Sequence, residues 1–252
     1  MPFSPESVAA RNARRTKRVA TADTPADLVP ITARTRRPGP APATAREGDL
    51  SATRDLIFAA AAAAFARDGF DGVGVDAIAH AAGVNKAMLY YHFRNKVGLY
   101  REVVSDMLQA VAKAVEQIAA GPGTADQKIG AFVETVANLR DERPWFPPLM
   151  MREMASGAPH LDNDTLAHMR AVFTAFTEIL TGGAASGHFR DVHPVMAYMS
   201  IMGPLMMNAM RERAGAGAGR ANLPMFAAVD REALVAHVRR TALSMLAKDP
   251  TR

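Results

Sequence analysis

The sequence of 252 residues contains no cysteine and a single tryptophan. The absence of cysteine excludes disulfides, thiolate metal sites and cysteine nucleophiles, and it is consistent with a reducing compartment. The longest apolar run, residues 56–66, is far shorter than the roughly 20 residues of a membrane-spanning helix. No apolar segment follows the basic residues near the N-terminus, so we see no signal peptide and expect a cytoplasmic protein.

Sequence motifs of enzymes are also missing. We find no nucleophile elbow, no phosphate-binding loop and no metal-binding pattern. The histidines and aspartates between residues 160 and 193 lack the tight spacing of metal ligands, and Asp162 followed by Asp164 is typical of a helix cap. We therefore expect a protein that is not an enzyme and that has no catalytic residues, no metal and no cofactor.

The positive charge is concentrated at the N-terminal end. The chain has 30 lysines and arginines against 25 acidic residues, a net charge of +5. Residues 1–49 contain nine basic and five acidic residues, whereas residues 101–252 contain sixteen of each. Because residues 1–49 are rich in proline and lack helical periodicity, we predict a disordered basic arm. Such an arm either lies near DNA phosphates or is a solvated tail without a partner.

The rest of the chain has the periodicity of α-helices. The first helical pattern begins at Ser51, a suitable N-cap, and ends at Gly69. Eight further helices are predicted, separated by glycine and proline breaks such as Gly182-Gly183. They lie at about residues 75–82, 86–92, 96–120, 125–141, 145–155, 163–181, 193–213 and 230–247. No alternating run is long enough for a sheet, so the predicted fold is all-α.

The two short helices within residues 75–93 meet the requirements of a helix-turn-helix, in which two helices cross at about 90–120° over a tight turn. Ala79 is small enough for a close crossing, Gly83 tolerates a positive φ in the turn, and Asn85 is a good N-cap for the second helix. The residues predicted to face inward are Ile78, Ala82, Val84 and Leu89. The same pattern predicts that Tyr91 is more exposed than Tyr90.

This segment resembles the N-terminal domain of the tetracycline-repressor (TetR) family of transcriptional regulators. The resemblance covers about residues 53–100, and its most specific part is the Leu-Tyr-Tyr-His-Phe run at 89–93, which is followed by Arg-Asn-Lys. The matching residues are Ile57, Ala61, Phe65, Gly69, Phe70, Ile78, Ala79, Ala82, Gly83, Val84, the run 89–96 and Leu99. Beyond residue 100 the chain resembles the family only in length and number of helices.

The resemblance implies separate roles for the residues of the second helix. Tyr90, His92 and Lys96 would contact DNA phosphates, for which a hydroxyl, a ring nitrogen and an ammonium are suitable groups. The residues that would face the major groove follow the N-cap Asn85 and are Lys86, Ala87, Met88 and Tyr91. Lys86 could donate to guanine, and Met88 could touch a thymine methyl group.

The sequence departs from the family pattern at the start of the first short helix. Val73 and Gly74 stand where a hydroxyl residue, often threonine, is usual, so a side-chain cap and phosphate contact are lost there. Gly74 can still offer its backbone N–H to a phosphate. Asp76 stands where some members have an arginine for base contact, and its carboxylate would repel a phosphate that it faced. The operator preference is therefore not transferable from the family.

The C-terminal part contains most of the chain's 15 methionines. Methionine is flexible and polarizable, and it suits adaptable pockets for apolar molecules. The candidate pocket residues are Trp145, Phe146, Met150, Phe173, Phe176, Tyr198 and Met202. Ordinary core packing is the alternative for each of them.

Two of the predicted helices, near residues 193–213 and 230–247, carry apolar stripes. Their members are Met196, Met199, Gly203, Met206, Met207 and Met210 in the first helix and Leu234, His237, Val238, Thr241 and Leu246 in the second. The resemblance implies that two such helices pair with their mates in a dimer, which would present two recognition helices to half-sites about 34–36 Å apart. The alternative is that both stripes are buried within one chain.

Together these features predict three segments: the arm at residues 1–49, a three-helix DNA-binding domain at 50–96, and a helical ligand-binding and dimerisation domain at 97–252. The expected function is that of a transcriptional regulator, a homodimeric repressor that binds double-stranded operator DNA and is released by a small apolar ligand. The alternative is a regulator or architectural DNA-binding protein without a small-molecule effector.

Overall fold

The computed structural model describes residues 47–216 and 229–248, and in these ranges the chain is almost entirely helical. The predicted arm falls largely outside the described residues. The helices are α1 (Glu47–Asp68), α2 (Val75–Ala81), α3 (Lys86–Phe93), α4 (Lys96–Ala120), α5 (Ala125–Glu142), α6 (Phe146–Ala155), α7 (Asn163–Ala185), α8 (Pro194–Gly215) and α9 (Arg231–Leu246). The prediction of an all-α fold is confirmed.

Two predicted helix boundaries are wrong. The first helix begins at Glu47, so Ser51 lies inside α1 and is not its N-cap, because no proline interrupts the preceding turn. Helix α7 runs through Gly182-Gly183 to Ala185, although this pair was predicted to end it. The end of α1 is confirmed, since Gly69 follows the helix with a φ of +79°.

The continuation of α7 has a packing reason. Gly183 is buried, and a Cβ atom placed on it would overlap the ring of Phe189 and lie 2.9 Å from the Cβ of Ala125. Phe189 in turn forms an antiparallel bridge with Ala247, just beyond α9. The missing side chain at Gly183 therefore lets the segment after α7 pack close to the helix.

Helices α1, α2 and α3 enclose the core of the N-terminal domain. Ile57, Phe65, Ile78 and Leu89 are fully buried in this core. Leu99, near the start of α4, is also fully buried in the same continuous cluster. The long helix α4 is thus part of the N-terminal core before it enters the C-terminal half.

The C-terminal half is organised around α4, which packs along α7 and against α5. Helix α9 covers α5 and α8. Side-chain caps fix the beginnings of α4, α5 and α7: Asn95 accepts a hydrogen bond from the N–H of Gly98, Thr124 and Gln127 form a capping box, and Asp162 accepts from the N–H of Thr165. The expected helix cap at Asp162 is confirmed.

Among the described residues no helix has the length and apolar character to cross a membrane. The long helices α4 and α7 each have one face buried against neighbouring helices and polar residues on the other.

The close packing at Gly183 predicts opposite effects for two adjacent glycines. Gly183→Ala should lower the free energy of unfolding by about 1–3 kcal/mol, because the added methyl group displaces Phe189. Gly182→Ala should raise it by about 0.5–1 kcal/mol, since a Cβ atom there meets no atom within 4 Å and alanine favours the helix. Urea denaturation measures both values. Equal stability of the two variants would show that this contact does not constrain the fold.

Candidate DNA-binding surface

The turn between α2 and α3 has the geometry that its sequence predicts. Gly83 has a φ of +67°, and the N–H of Val84 donates to the carbonyl of Ala79 at 3.0 Å. Ala79 is buried where the two helices meet. A residue with a side chain at Gly83 would be strained in this conformation, so the glycine is required by the turn.

Asn85 and Leu89 fix the position of α3. The side-chain oxygen of Asn85 accepts a hydrogen bond from the N–H of Met88 at 2.8 Å, as an N-cap does. Leu89, one turn further, is fully buried in the N-terminal core. The predicted cap and the predicted inward residue are both confirmed, and together they determine which face of α3 is exposed.

The outward face of α3 carries most of the predicted contact residues. Lys86, Ala87 and Tyr90 are exposed, and Met88 is half-buried. Tyr90 is 38% exposed, whereas Tyr91 is half-buried with its ring edge-on to His92 at a centroid distance of 5.0 Å. The predicted order of exposure of the two tyrosines is therefore wrong, because Tyr91 packs on its neighbour.

Lys86 is held by an acidic partner on α2. Its Nζ lies 2.9 Å from Oδ1 and 3.0 Å from Oδ2 of Asp76. The hydrogen bond with this carboxylate raises the pKa of Lys86, although some desolvation opposes the shift. Asp76 is thus the counter-ion of the lysine predicted to read bases, and DNA must compete with it for the ammonium group.

His92 is less accessible than its predicted phosphate contact requires. Its Nε2 atom is buried and has no hydrogen-bond partner among the described residues. Burial, and to a smaller extent the positive charge of Arg54, lower the pKa of His92. A phosphate contact through Nε2 would require the ring to rotate, and the neutral imidazole would supply no charge to it.

Lys96 and Gly74 mark the beginnings of α4 and α2. The Nζ of Lys96 lies 4.2 Å from the centroid of the Phe70 ring, a cation–π contact that holds the half-buried side chain against the protein. Gly74 is the exposed N-cap of α2 and provides no side-chain cap, as expected. The structure places both residues at helix N-termini beside α3.

The candidate pocket residues do not lie together. Phe173, Phe176 and Tyr198 form an aromatic cluster with Phe132, with centroid distances of 4.8 Å for Phe132–Phe176, 5.4 Å for Phe176–Tyr198 and 5.8 Å for Phe173–Tyr198. Burial raises the pKa of Tyr198. We call these four residues the aromatic cluster.

Trp145 lies outside the aromatic cluster. Its indole packs edge-on against Phe58 of α1 at 6.0 Å and beside Phe146, which is buried. Met150 and Met202 are half-buried against the core. Grouping Trp145 with Tyr198 was therefore wrong, because the turn before α6 directs the indole towards the N-terminal domain.

A buried polar cluster between the two halves of the chain was not predicted from the sequence. Glu153 of α6 is only 3% exposed, and it accepts hydrogen bonds from the hydroxyl of Tyr100 at 2.7 Å and the N–H of His160 at 2.8 Å. Burial raises the pKa of Glu153, but these hydrogen bonds outweigh it and hold the pKa below its usual value. The position of a glutamate on the apolar face of α6 is the signal that could have indicated it.

The His160 ring connects this polar cluster to the N-terminal domain. It lies 4.0 Å from the ring of Phe70 and 5.3 Å from that of Tyr100. Burial raises the pKa of Tyr100 first, and its hydrogen bond to Glu153 raises it further. Helix α4 is therefore fixed to α6 and to the loop after α1 at the same point.

A capped helix with an exposed polar face, set by a glycine turn on a three-helix core, defines a helix-turn-helix DNA-binding protein. Comparison with known families shows to which family of helix-turn-helix proteins the chain belongs. Residues 57–103 match the family model described as bacterial regulatory proteins of the tetR family, and residues 126–215 match the tetracyclin repressor-like C-terminal domain. The chain belongs to the TetR family of transcriptional regulators.

Individual relatives share parts of this chain. It is 29% identical over 152 residues to the HTH-type transcriptional regulator RutR of Escherichia coli K12. The aligned segment covers 59% of this chain and 70% of RutR. It is 25% identical over 143 residues to the HTH-type transcriptional repressor NicS of Pseudomonas putida, 55% of this chain and 66% of NicS. The crystal structure of FadR from Bacillus subtilis in complex with stearoyl-CoA superposes with a TM-score of 0.61 and 19% identity over 76% of this chain and 98% of FadR, which shows the fold.

The Asp76–Lys86 ion pair predicts that DNA affinity rises when the negative charge of Asp76 is removed. Asp76→Asn should strengthen binding about two- to fivefold at low salt, because Lys86 no longer has to leave an exposed ion pair. The slope of log affinity against log salt should steepen by about one. Fluorescence anisotropy with labelled DNA measures both.

Asp71→Asn is the matched control for this prediction. Asp71 is exposed in the loop before α2 and forms no ion pair in the part of the chain that the structure describes. Its replacement removes the same charge without releasing Lys86. An equal gain in affinity from both variants would mean that the pair does not restrain the lysine.

Proposed function

We propose that the protein is a homodimeric transcriptional repressor of the cytoplasm that binds double-stranded operator DNA through α3 and is released by a small apolar effector. The observation that carries the proposal is the exposed face of α3, with Lys86, Ala87 and Tyr90 held outward by the Asn85 cap and the buried Leu89. The repressor function of the relative NicS supports the sign of the regulation. In this proposal residues 50–96 bind DNA and residues 97–252 bind the effector and the second subunit.

The exposed methionines of α8 support the homodimer. Met196, Met199 and Met207 are 62%, 63% and 61% exposed, so α8 presents large apolar side chains that the described part of the chain leaves uncovered. A contiguous apolar patch of this kind is typical of a protein interface. The predicted stripe on α9 was wrong in part, because Leu234, Val238 and Leu246 are buried within the chain; only its exposed residues, His237 and Thr241, remain available to a partner.

The aromatic cluster supports an apolar effector site. Phe132 and Phe176 are fully buried, and Tyr198 is half-buried beside them, so a ligand entering there would be surrounded by aromatic side chains. Phe132, Phe173 and Phe176 lie on α5 and α7, which pack against α4, and Tyr198 lies on α8. A ligand that separates these helices would shift α4 and, through Tyr100, the helix-turn-helix.

One observation favours the alternative of a regulator or architectural DNA-binding protein without an effector. The rings of Phe132 and Phe176 already pack at 4.8 Å, which is the spacing of an ordinary core contact. In that case the C-terminal half would serve dimerisation and stability alone.

The decisive experiment is selection of genomic DNA fragments by the purified protein, followed by titration. We expect enrichment of one sequence with two related half-sites, and we expect the uncharged apolar probe N-phenyl-1-naphthylamine to weaken binding at least tenfold. Phe173→Ala should change the response to the probe but leave DNA affinity without it unchanged. Enrichment without any response to apolar molecules would favour the alternative, and retention of DNA without sequence preference would contradict the repressor.

The methionines of α8 predict a defined loss of dimerisation. Met199→Glu should convert the protein to a monomer in sedimentation experiments and weaken operator binding at least tenfold, because a charge replaces an apolar contact in the interface. Met154→Glu is the matched control, since Met154 is 44% exposed on α6. A dimer that survives Met199→Glu would place the interface elsewhere.

A further inference from the structure

A groove of about 500 Å³ lies between the N-terminal domain and the C-terminal half, away from the aromatic cluster. Its volume is that of a typical small-molecule site. Three segments form its walls: α1, α4 and the turn between α5 and α6. The lining residues are Arg54, Asp55, Phe58, Glu102, Ser105, Asp106, Gln109, Arg143 and Trp145.

The three walls are joined in pairs by side-chain contacts. Arg54 of α1 forms an ion pair with Glu102 of α4. Arg143 binds Asp106 of α4, with 2.7 Å between Nε and Oδ2. The edge-on contact between Phe58 and Trp145 joins α1 to the turn. A molecule bound in the groove therefore touches all three of the segments that these contacts join.

The charged side chains that line the groove have a net negative charge. Three carboxylates face two guanidinium groups, and both arginines are already paired. Asp55 is exposed and has no ion pair or hydrogen bond among the described residues, and the same holds for the polar side chains of Ser105 and Gln109. The groove thus offers one free carboxylate and two neutral polar groups beside two aromatic rings.

We infer that this groove is a binding site for a small, planar aromatic cation. The ring of such a molecule would pack against Trp145 and Phe58, where its charge is also attracted to the indole face. Its cationic group would bind the carboxylate of Asp55. The side-chain oxygen of Ser105 or Gln109 would accept hydrogen bonds from the remaining N–H groups. An anionic ligand would face the unpaired carboxylate, and a purely apolar ligand would leave it desolvated.

Arg54 connects this groove to the recognition helix. Its guanidinium lies 5.3 Å above the ring of Phe93, the last residue of α3, while the same group forms the ion pair with Glu102. The charge of Arg54 also contributes to the lowered pKa of His92, after burial. A cation bound to Asp55, the residue next to Arg54, places a second positive charge beside this guanidinium and weakens its contacts with Glu102 and Phe93, so occupancy of the groove modulates DNA binding. This modulation depends on the proposed function, whereas the binding itself does not.

The chain contains its own reporter for the test, because Trp145 is the single tryptophan. Benzamidine is the probe, and benzamide and benzoate are its neutral and anionic analogues of similar shape. We expect saturable change of Trp145 emission with benzamidine, at least tenfold weaker binding of benzamide, and no saturable change with benzoate. Equal responses to benzamidine and benzamide, or no saturable response to benzamidine, would overturn the inference.

Two variants locate the bound charge. Asp55→Asn should weaken benzamidine binding about tenfold, as expected for the loss of a charged hydrogen bond, and Asp71→Asn should leave it unchanged. Unchanged binding in Asp55→Asn would overturn the assignment. DNA affinity is measured in the same preparations. If the protein binds DNA but its Trp145 emission does not respond to benzamidine, only the groove site is refuted. If Trp145 emission responds to benzamidine but the protein does not bind DNA, only the proposed function is refuted.

Discussion

The arrangement of the molecule depends on one helix that belongs to two cores. Leu99 and Val103 of α4 are fully buried, as is Val115 twelve residues beyond Val103, and the whole length lies in one continuous cluster. Close-packed cores of this kind shift between discrete arrangements and do not deform gradually. The packing around α4 in the C-terminal half is therefore continuous with the core of the helix-turn-helix, and the buried hydrogen bond between Tyr100 and Glu153 joins the two halves where they meet.

Three positive groups near the recognition helix are already engaged within the protein. Lys86 is paired with Asp76, Lys96 rests on Phe70, and Arg54 is paired with Glu102. When these three groups bind phosphates they must exchange their present contacts for new ones, which reduces the net electrostatic free energy that they gain from DNA. In the proposed homodimer two domains acting together would compensate for this, and the exposed methionines of α8 would then matter for DNA recognition as well as for assembly.

Features that depend on local spacing could be predicted from the sequence, and features that depend on distant packing could not. The Gly83 turn and the Asn85 cap follow from residues within ten positions of each other, and the structure confirms both. The continuation of α7 through Gly183 depends on Phe189 and on a bridge to Ala247, which no local pattern contains. The candidate residues divide in the same way: the exposure of Lys86 and Ala87 on α3 follows from the local pattern, whereas the separation of Trp145 from the aromatic cluster depends on where the turn before α6 points.

The central claim is that two copies of α3, held at a fixed separation by a dimer, read two half-sites. Because the chain has no cysteine, Ala81→Cys provides one spin label per subunit at the exposed end of α2, next to the turn. Double electron–electron resonance should give a distribution of label-to-label distances with one dominant peak. The peak position is set by the roughly 34–36 Å between half-site centres, and the distribution should become narrower when operator DNA binds. Absence of dipolar coupling, or a distribution that operator DNA leaves unchanged, would contradict the account.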